Sequence, residues 1–549
     1  MKRRGVALHL SGFRGLAMSV LAMIVLAGCT VAPNYFTKQE KLQLAAKTLA
    51  AVQAQPLPQG PIPLHEAMAR ALIYNFDSRL DALEEDIARE RLDASFWNFL
   101  PQSIASGGGM HRRNTLATNS ESVSTGSESL EKSTSTEQTK RQADLRFTWN
   151  ILDFGVSYFT ARQSADQVLM AEERHKRVTR ELMQEVRGAY WRAAASQRLL
   201  SKVRAMLVRV GDAIDKANKI QTDRLQKPME TLNYKRGLYS KLLQLQELRK
   251  TLLTSKLELA RLMNLPPSYN YKVVVPAKTQ APPADLGMSV EDLEILALRL
   301  RPELIEAGYN ERIAAAEVKK AMLRMLPGLE FSFGTNYDSN KFLLNNTWNE
   351  FGLKITWNLI NFLKGRDDIE IAEKQEAVST LRRQTLGMAI MAQLNIAYLD
   401  YMESVASYDI ASELTLINLE IEKNQRGQVG PVNLGDLELI QTELNSLVSR
   451  IKRDEQYAQV QNALGRLIFS AGVDIYGEPP DTLNTEKLSA FLRKRETEWL
   501  NEGLFKSHVQ AKSTIEAPAE KIAEEPDLFG LIAALFRDRN IEQTSMTVP

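Results

Sequence analysis

One thiol, a few scattered imidazoles and two carboxylates beside a turn are the groups best placed to do chemistry in this 549-residue chain. The thiol is Cys29, the only cysteine, so no intrachain disulfide is possible. The five histidines (His9, His65, His111, His175, His508) form no cluster with metal-ligand spacing. Gly107-Gly108-Gly109 lacks the Lys-Ser/Thr and the following helix of a phosphate loop. Carboxylates are abundant, but none stands with a base in a catalytic pattern. The expectation is no enzyme activity, no metal and no cofactor. What remains is Cys29 as a point of attachment, and Asp436 and Glu438 as charges at a turn.

The segment before Cys29 explains the thiol. Residues 1–28 carry Lys2, Arg3, Arg4 and Arg14, no acid, and an apolar run over 16–27. That is the pattern of a secretory signal peptide. Its end, Leu26-Ala27-Gly28-Cys29, resembles the lipobox of bacterial lipoproteins, in which the cysteine is lipidated and becomes the mature N-terminus. Thr30 rather than Asp follows, which by analogy favours the outer membrane. Without this segment the charge falls from +2 to −2 (65 basic against 67 acidic residues). No case for a nucleic-acid partner survives.

The body of the chain is organised around a stretch that occurs twice. Thr148-Trp149-Asn150-Ile151-Leu152-Asp153-Phe154 returns 208 residues later as Thr356-Trp357-Asn358-Leu359-Ile360-Asn361-Phe362. Apolar and polar residues alternate into each copy, which reads as a strand between two media. A long helical pattern closed by Pro101 has a partner closed by Pro327, 226 residues on. Strands are expected at about 102–112, 143–152, 328–338 and 350–360. Two helices of about 50 residues should follow each strand pair as an antiparallel coiled-coil hairpin, roughly 75 Å long. The domain reading is a signal peptide (1–28), a lipidated segment (29–61) with a short helix over 38–53, a first repeat (62–265), a linker (266–288), a second repeat (289–475) and a partly disordered tail (476–549). The tail contains one helix over 485–502. The Ser/Thr-rich stretch 114–142 reads as a mobile solvated loop.

No run of 18 apolar residues follows the signal, so a helical membrane span is not expected. Strands cross a bilayer only in a closed barrel, and four cannot close one. Several chains must each contribute four, and three chains would give twelve.

At this point the chain resembles the TolC family of outer-membrane factors, in its lipidated OprM-like branch. Cys29-Thr30-Val31-Ala32-Pro33-Asn34-Tyr35 is similar to that branch's Cys-x-x-x-Pro-x-Tyr start. Val429-Gly430 followed by Asp436-Leu437, with Arg426 before them, has the spacing of the family's hairpin-tip motif. The resemblance implies a mainly α fold with a transmembrane β-barrel: a homotrimeric 12-stranded barrel in the outer membrane of a Gram-negative bacterium and an α-barrel in the periplasm. It implies a passive duct for efflux or type I secretion that docks with a periplasmic adaptor and an inner-membrane transporter. Arg426, Val429 and Gly430 would contact the adaptor. Asp436 takes the first position of the family's acidic gate; Leu439 takes the second, with Glu438 nearby but out of register. Asp436 as a plain helix cap remains the other reading. Arg146, Thr148, Asn150, Lys354, Thr356 and Asn358 would line the lumen. Trp149, Trp357 and Phe331 would face lipid or, alternatively, pack against helices. The competing function is a lipid-anchored periplasmic scaffold without a pore. The cargo is not legible.

Overall fold

A computed structural model describes residues 33–129, 131–222, 228–275, 286–428, 435–477, 484–502 and 505. It divides into two units, 1–57 and 58–549. The first contains helix α1 (Lys38–Gln53). Thr37 starts it with a capping box: its hydroxyl accepts from the Glu40 N–H, and the Glu40 carboxylate accepts from the Thr37 N–H.

In the second unit, α2 (Leu64–Tyr74) and α3 (Phe76–Phe96) lead into β1 (Gln102–His111) and β2 (Thr139–Asn150). Two long helices follow, α4 (Ile151–Thr222) and α5 (Pro228–Leu262). Then come α6 (Val290–Leu300), α7 (Pro302–Leu323), β3 (Gly328–Asp338), β4 (Thr347–Thr356), α8 (Leu359–Gln428) and α9 (Gly435–Ser470). Helix α10 (Thr485–Glu502) closes the set. Element starts recur at fixed offsets. Helices α2 and α6, α3 and α7, and strands β1 and β3 begin 226 residues apart; β2 and β4, and α4 and α8, begin 208 apart.

The equal 50-residue helices are corrected. Helices α4 and α8 have 72 and 70 residues, while α5 and α9 have 35 and 36. Each long helix therefore runs for roughly 105 Å, about twice the length of its hairpin partner. Packing explains the asymmetry. Near the strands, α4 lies against α3 and α7, and α8 against α7; farther away, α4 lies against α5 and α9, and α8 against α9. One continuous helix thus changes partners halfway, and no proline interrupts it.

The change of partners occurs at a belt built from both halves. Ile62 pairs in parallel with Val273 as an isolated bridge, within the expected linker. The Tyr190 hydroxyl donates to the Ile62 and Val274 carbonyls. Helix α10 is part of this belt. Leu488 and Leu492 enter the core that holds Met68, Val186 and Leu259; Trp499 and Phe505 enter the core that holds Leu296, Tyr401 and Leu467. Residues 506–549, the rest of the expected tail, lie outside the described residues.

The strands form one antiparallel meander, β1-β2-β3-β4. Strand β2 begins at Thr139, earlier than expected, because Thr139 pairs with His111 at the far end of β1. Strand β4 covers Thr347–Thr356 rather than 350–360, because Asn358 is already capping a helix. Of the expected loop over 114–142, residues 139–142 belong to β2 and the rest is mostly exposed. Bridges Thr118↔Ser133 and Glu121↔Glu128 continue the hairpin outward. Asn340, from the β3–β4 turn, donates to the Ser135 carbonyl at 2.9 Å and accepts from the Glu137 N–H at 3.2 Å. Part of the polar segment's backbone thus pairs within the segment and with this asparagine, a pairing that composition does not specify.

Candidate functional site

The sheet has two unlike faces, set by period two. On one, Phe147 stacks on Phe333 with centroids 6.4 Å apart, and the register brings Phe351, Leu353 and Ile355 alongside. Phe351 and Ile355 are 76% and 70% exposed, an apolar band with no covering layer among the described residues. The other face carries Arg146, Thr148 and Lys354 with Asp144, Glu330 and Glu350. Cross-strand rows place Asn150 beside Glu330 and Lys354, and Thr356 continues β4 on the same face. Among the described strands, only the outer edges of β1 and β4 lack a neighbour.

The duplicated Trp-Asn marks the strand-to-helix junctions. Asn150 accepts from the Leu152 N–H at 3.0 Å; Asn358 accepts from the Ile360 and Asn361 N–H groups at 3.1 and 3.2 Å. Both side chains satisfy otherwise orphaned helix donors. Asn358 lies past the end of β4, so its expected place on a lumen-facing strand is corrected to a helix cap. Trp149 meets Phe154, and Trp357 meets Phe362, edge to face at 6.1 and 5.5 Å. The Trp357 indole donates to the Met325 carbonyl at 3.1 Å. Phe331 sits in β3 opposite Trp149 and Leu353.

At the other end, Val429 and Gly430 lie outside the described residues, as do Cys29 and the Asp436 side chain. Glu438 is exposed on α9. Arg426 is not a free tip residue. It pairs with Glu422 at 2.8 Å on its own helix and with Glu443 of α9 at 3.0 Å. Glu443 is 5% exposed and also takes Arg209 of α4 at 2.5 Å. Arg450 of α9 reaches back to Glu422 at 3.2 Å. These residues, with Lys202, line a cleft of about 320 Å³ between α4, α8 and α9. Burial lowers the Lys202 pKa, and the Arg450 and Arg198 charges lower it further. Glu443 is thus the node that ties three helices together. Sequence reading missed it, though a glutamate among Leu439, Ile440, Leu444 and Leu447 on the apolar stripe of α9 was the available sign.

A second buried ionic group lies in the belt. Glu496 of α10 bonds Arg187 of α4 and His65 of α2, and Arg187 donates to the Tyr476 hydroxyl at 3.0 Å. Burial alone would raise the Glu496 pKa; the Arg187 charge and then His65 outweigh it and hold the carboxyl at about 2. Burial drives the Tyr476 phenol up to about 12. No helix among the described residues is long and apolar enough to cross a membrane.

The helical layer, like the sheet, ends in bare edges. Exposed apolar residues recur at helical spacing on α3 (Phe76, Leu80, Leu83, Ile87) and α8 (Ile410, Leu414, Ile417, Ile421). Helix α5 adds Leu232, Tyr239 and Leu243.

No family model matches this chain. No curated protein matches it either. Solved structures do. It is similar to the Campylobacter jejuni CmeC outer membrane channel, with 14% identity over 79% of this chain and 89% of that one, at a TM-score of 0.58. The open state of the Neisseria gonorrhoeae MtrE outer membrane channel matches with 15% identity over 75% and 91%, at 0.53. The Vibrio cholerae outer membrane protein VceC matches with 14% identity over 74% and 96%, at 0.54. At this identity the likeness is one of fold.

Proposed function

We propose that this protein, whose fold is that of the TolC-family outer-membrane channels, is itself the outer-membrane exit duct of a Gram-negative export system. The observation that carries the reading is the sheet. Its four strands have one exposed apolar face, one polar face and two unpaired edges, and the helical layer beneath has apolar edges of its own. An exposed apolar band with open strand edges is stable in a bilayer only when the edges are closed. Three copies supply twelve strands around a lumen lined by Arg146, Thr148, Lys354 and Thr356. Their α3, α5 and α8 edges close a helical tube into the periplasm. Cys29 is the acylation site that anchors each copy.

The tube narrows at the hairpin tips. There the Glu443 node and the gate residues Asp436 and Glu438 hold it shut, and Arg426, Val429 and Gly430 form the surface for a periplasmic adaptor coupled to an inner-membrane transporter. The duct is passive: it positions charge and surface and performs no reaction.

Membrane fractionation followed by mass measurement of the detergent-solubilised particle tests this. The expected particle comes from the outer membrane and has three copies. A monomer in the same fraction would favour a lipid-anchored scaffold without a pore and overturn the duct.

A further inference from the structure

We propose that copies of this chain join by repeating the seam between its own two halves, with Lys374 of one copy paired to Asp86 of the next and β4 set against β1 in a fixed register. The inference rests on the ring assembly proposed above. Within one chain the seam runs between α4 and α7 and between β2 and β3. Adding 208 to a residue of α4 or β2 gives its counterpart on α8 or β4; subtracting 226 from a residue of α7 or β3 gives its counterpart on α3 or β1. The counterparts occupy the two bare edges.

The internal seam is held by charge. Arg312 of α7 binds Asp166 of α4, which is 4% exposed. Arg162, one turn before Asp166, stands near enough that its charge adds to burial in lowering the Arg312 pKa. The counterparts of Arg312, Asp166 and Arg162 are Asp86, Lys374 and Glu370. Every sign is inverted, so the attraction across the seam is kept. In the single chain Asp86 is exposed, and Lys374, 73% exposed, binds Glu370 on its own helix at 2.6 Å. Inversion also discriminates. Helix α4 laid against another copy's α3 would bring Asp166 to Asp86, and α8 laid against another α7 would bring Lys374 to Arg312. Like charges reject both mispairings.

Apolar pairs follow the same rule. Gln163 donates to the Ile313 carbonyl across the internal seam, and the counterparts are Ile371 and Ile87, both exposed. Leu323 closes against Gly155, and the counterparts are Trp97 and Leu363, also both exposed. In the sheet, Leu145↔Thr335 and Phe147↔Phe333 become Leu353↔Gly109 and Ile355↔Gly107. A Cβ built on Gly107, Gly108 or Gly109 meets nothing within 4 Å, so nothing in the single chain's packing calls for glycine there. In the inferred register these three face Ile355, Lys354 and Leu353 of the neighbouring copy.

Two experiments on the full-length protein test the seam. Asp86→Lys and Lys374→Asp should each reduce the three-copy particle several-fold at a fixed dilute concentration, and the double swap should restore it. Directly opposed strand residues have Cα atoms about 4.5–5.5 Å apart, within disulfide reach, whereas a two-residue slip places them about 7–8 Å apart. Gly107→Cys with Ile355→Cys should therefore give reducible covalent dimers and trimers on mild oxidation, at least tenfold more than Gly109→Cys with Ile355→Cys. A three-copy particle in which the swap restores nothing, or in which position 355 prefers 109, overturns the seam and leaves the ring standing. Absence of any multi-copy particle from the unmodified protein overturns both.

Discussion

Replacing Glu496 with alanine is expected to release α10 from the belt and lower the stability of that region by about 3–5 kcal/mol, the usual cost of breaking a buried ion pair from one side. The reason is what remains. Arg187 is 7% exposed and would keep its charge without its carboxylate partner, and His65 would lose its acceptor. Helix α10 joins both halves, through Leu488 and Leu492 on one side and Trp499 on the other. Its release should be visible as a new protease-sensitive site within Thr485–Glu502 and a lower melting temperature in detergent. Glu496→Gln keeps the shape but not the charge and should fall between. The wild-type contribution also depends on pH. Glu496 drops from an ordinary value of 4.5 to about 2 on folding. A depressed carboxylate stabilises fully above its unfolded value and less as pH falls toward its folded one. The contribution is therefore complete above pH 4.5 and fades between 4.5 and about 2, a window the alanine variant should lack.

The second large effect is expected at Glu443. It is nearly buried and holds Arg209 of α4 and Arg426 of α8 onto α9. Both arginines are about half exposed, so water moderates the loss, and about 1.5–2 kcal/mol is a fair magnitude for Glu443→Ala. A shift of that size moves a closed–open equilibrium by a factor of about 10–30. Cells carrying the variant should take up a large hydrophilic dye far faster than wild type. Uptake unchanged from wild type, with the protein present in the outer membrane, would remove Glu443 from the closure.

The physical reasons for what the sequence foretold are local. Helix α1 follows from a capping box that Thr37 and Glu40 settle between themselves. The offsets of 208 and 226 were legible because they are properties of the chain alone. What was not legible depends on partners. The lengths of α4 and α8, 72 and 70 residues, arise because each long helix is covered by different helices along its course, and no residue on it announces the handover. Asn358 reads as a strand residue in an alternating pattern, yet its side chain is worth more as a cap to the Ile360 and Asn361 donors. The polar stretch beyond β1 has the composition of a solvated loop, and nothing in it announces that the Ser135 carbonyl takes its donor from Asn340, over 200 residues away. The node at the tips was half visible. The resemblance picks out Arg426 beside the tip motif, whereas its partner Glu443 belongs to no motif and shows itself only by the apolar stripe around it.

The most direct test of the duct is the current that the purified, unmodified protein passes in a planar bilayer. The account predicts discrete steps of small, cation-selective conductance, because a three-fold ring of carboxylates at a narrow tip favours cations. Three-copy particles that insert into the bilayer and pass no current under any voltage would contradict it.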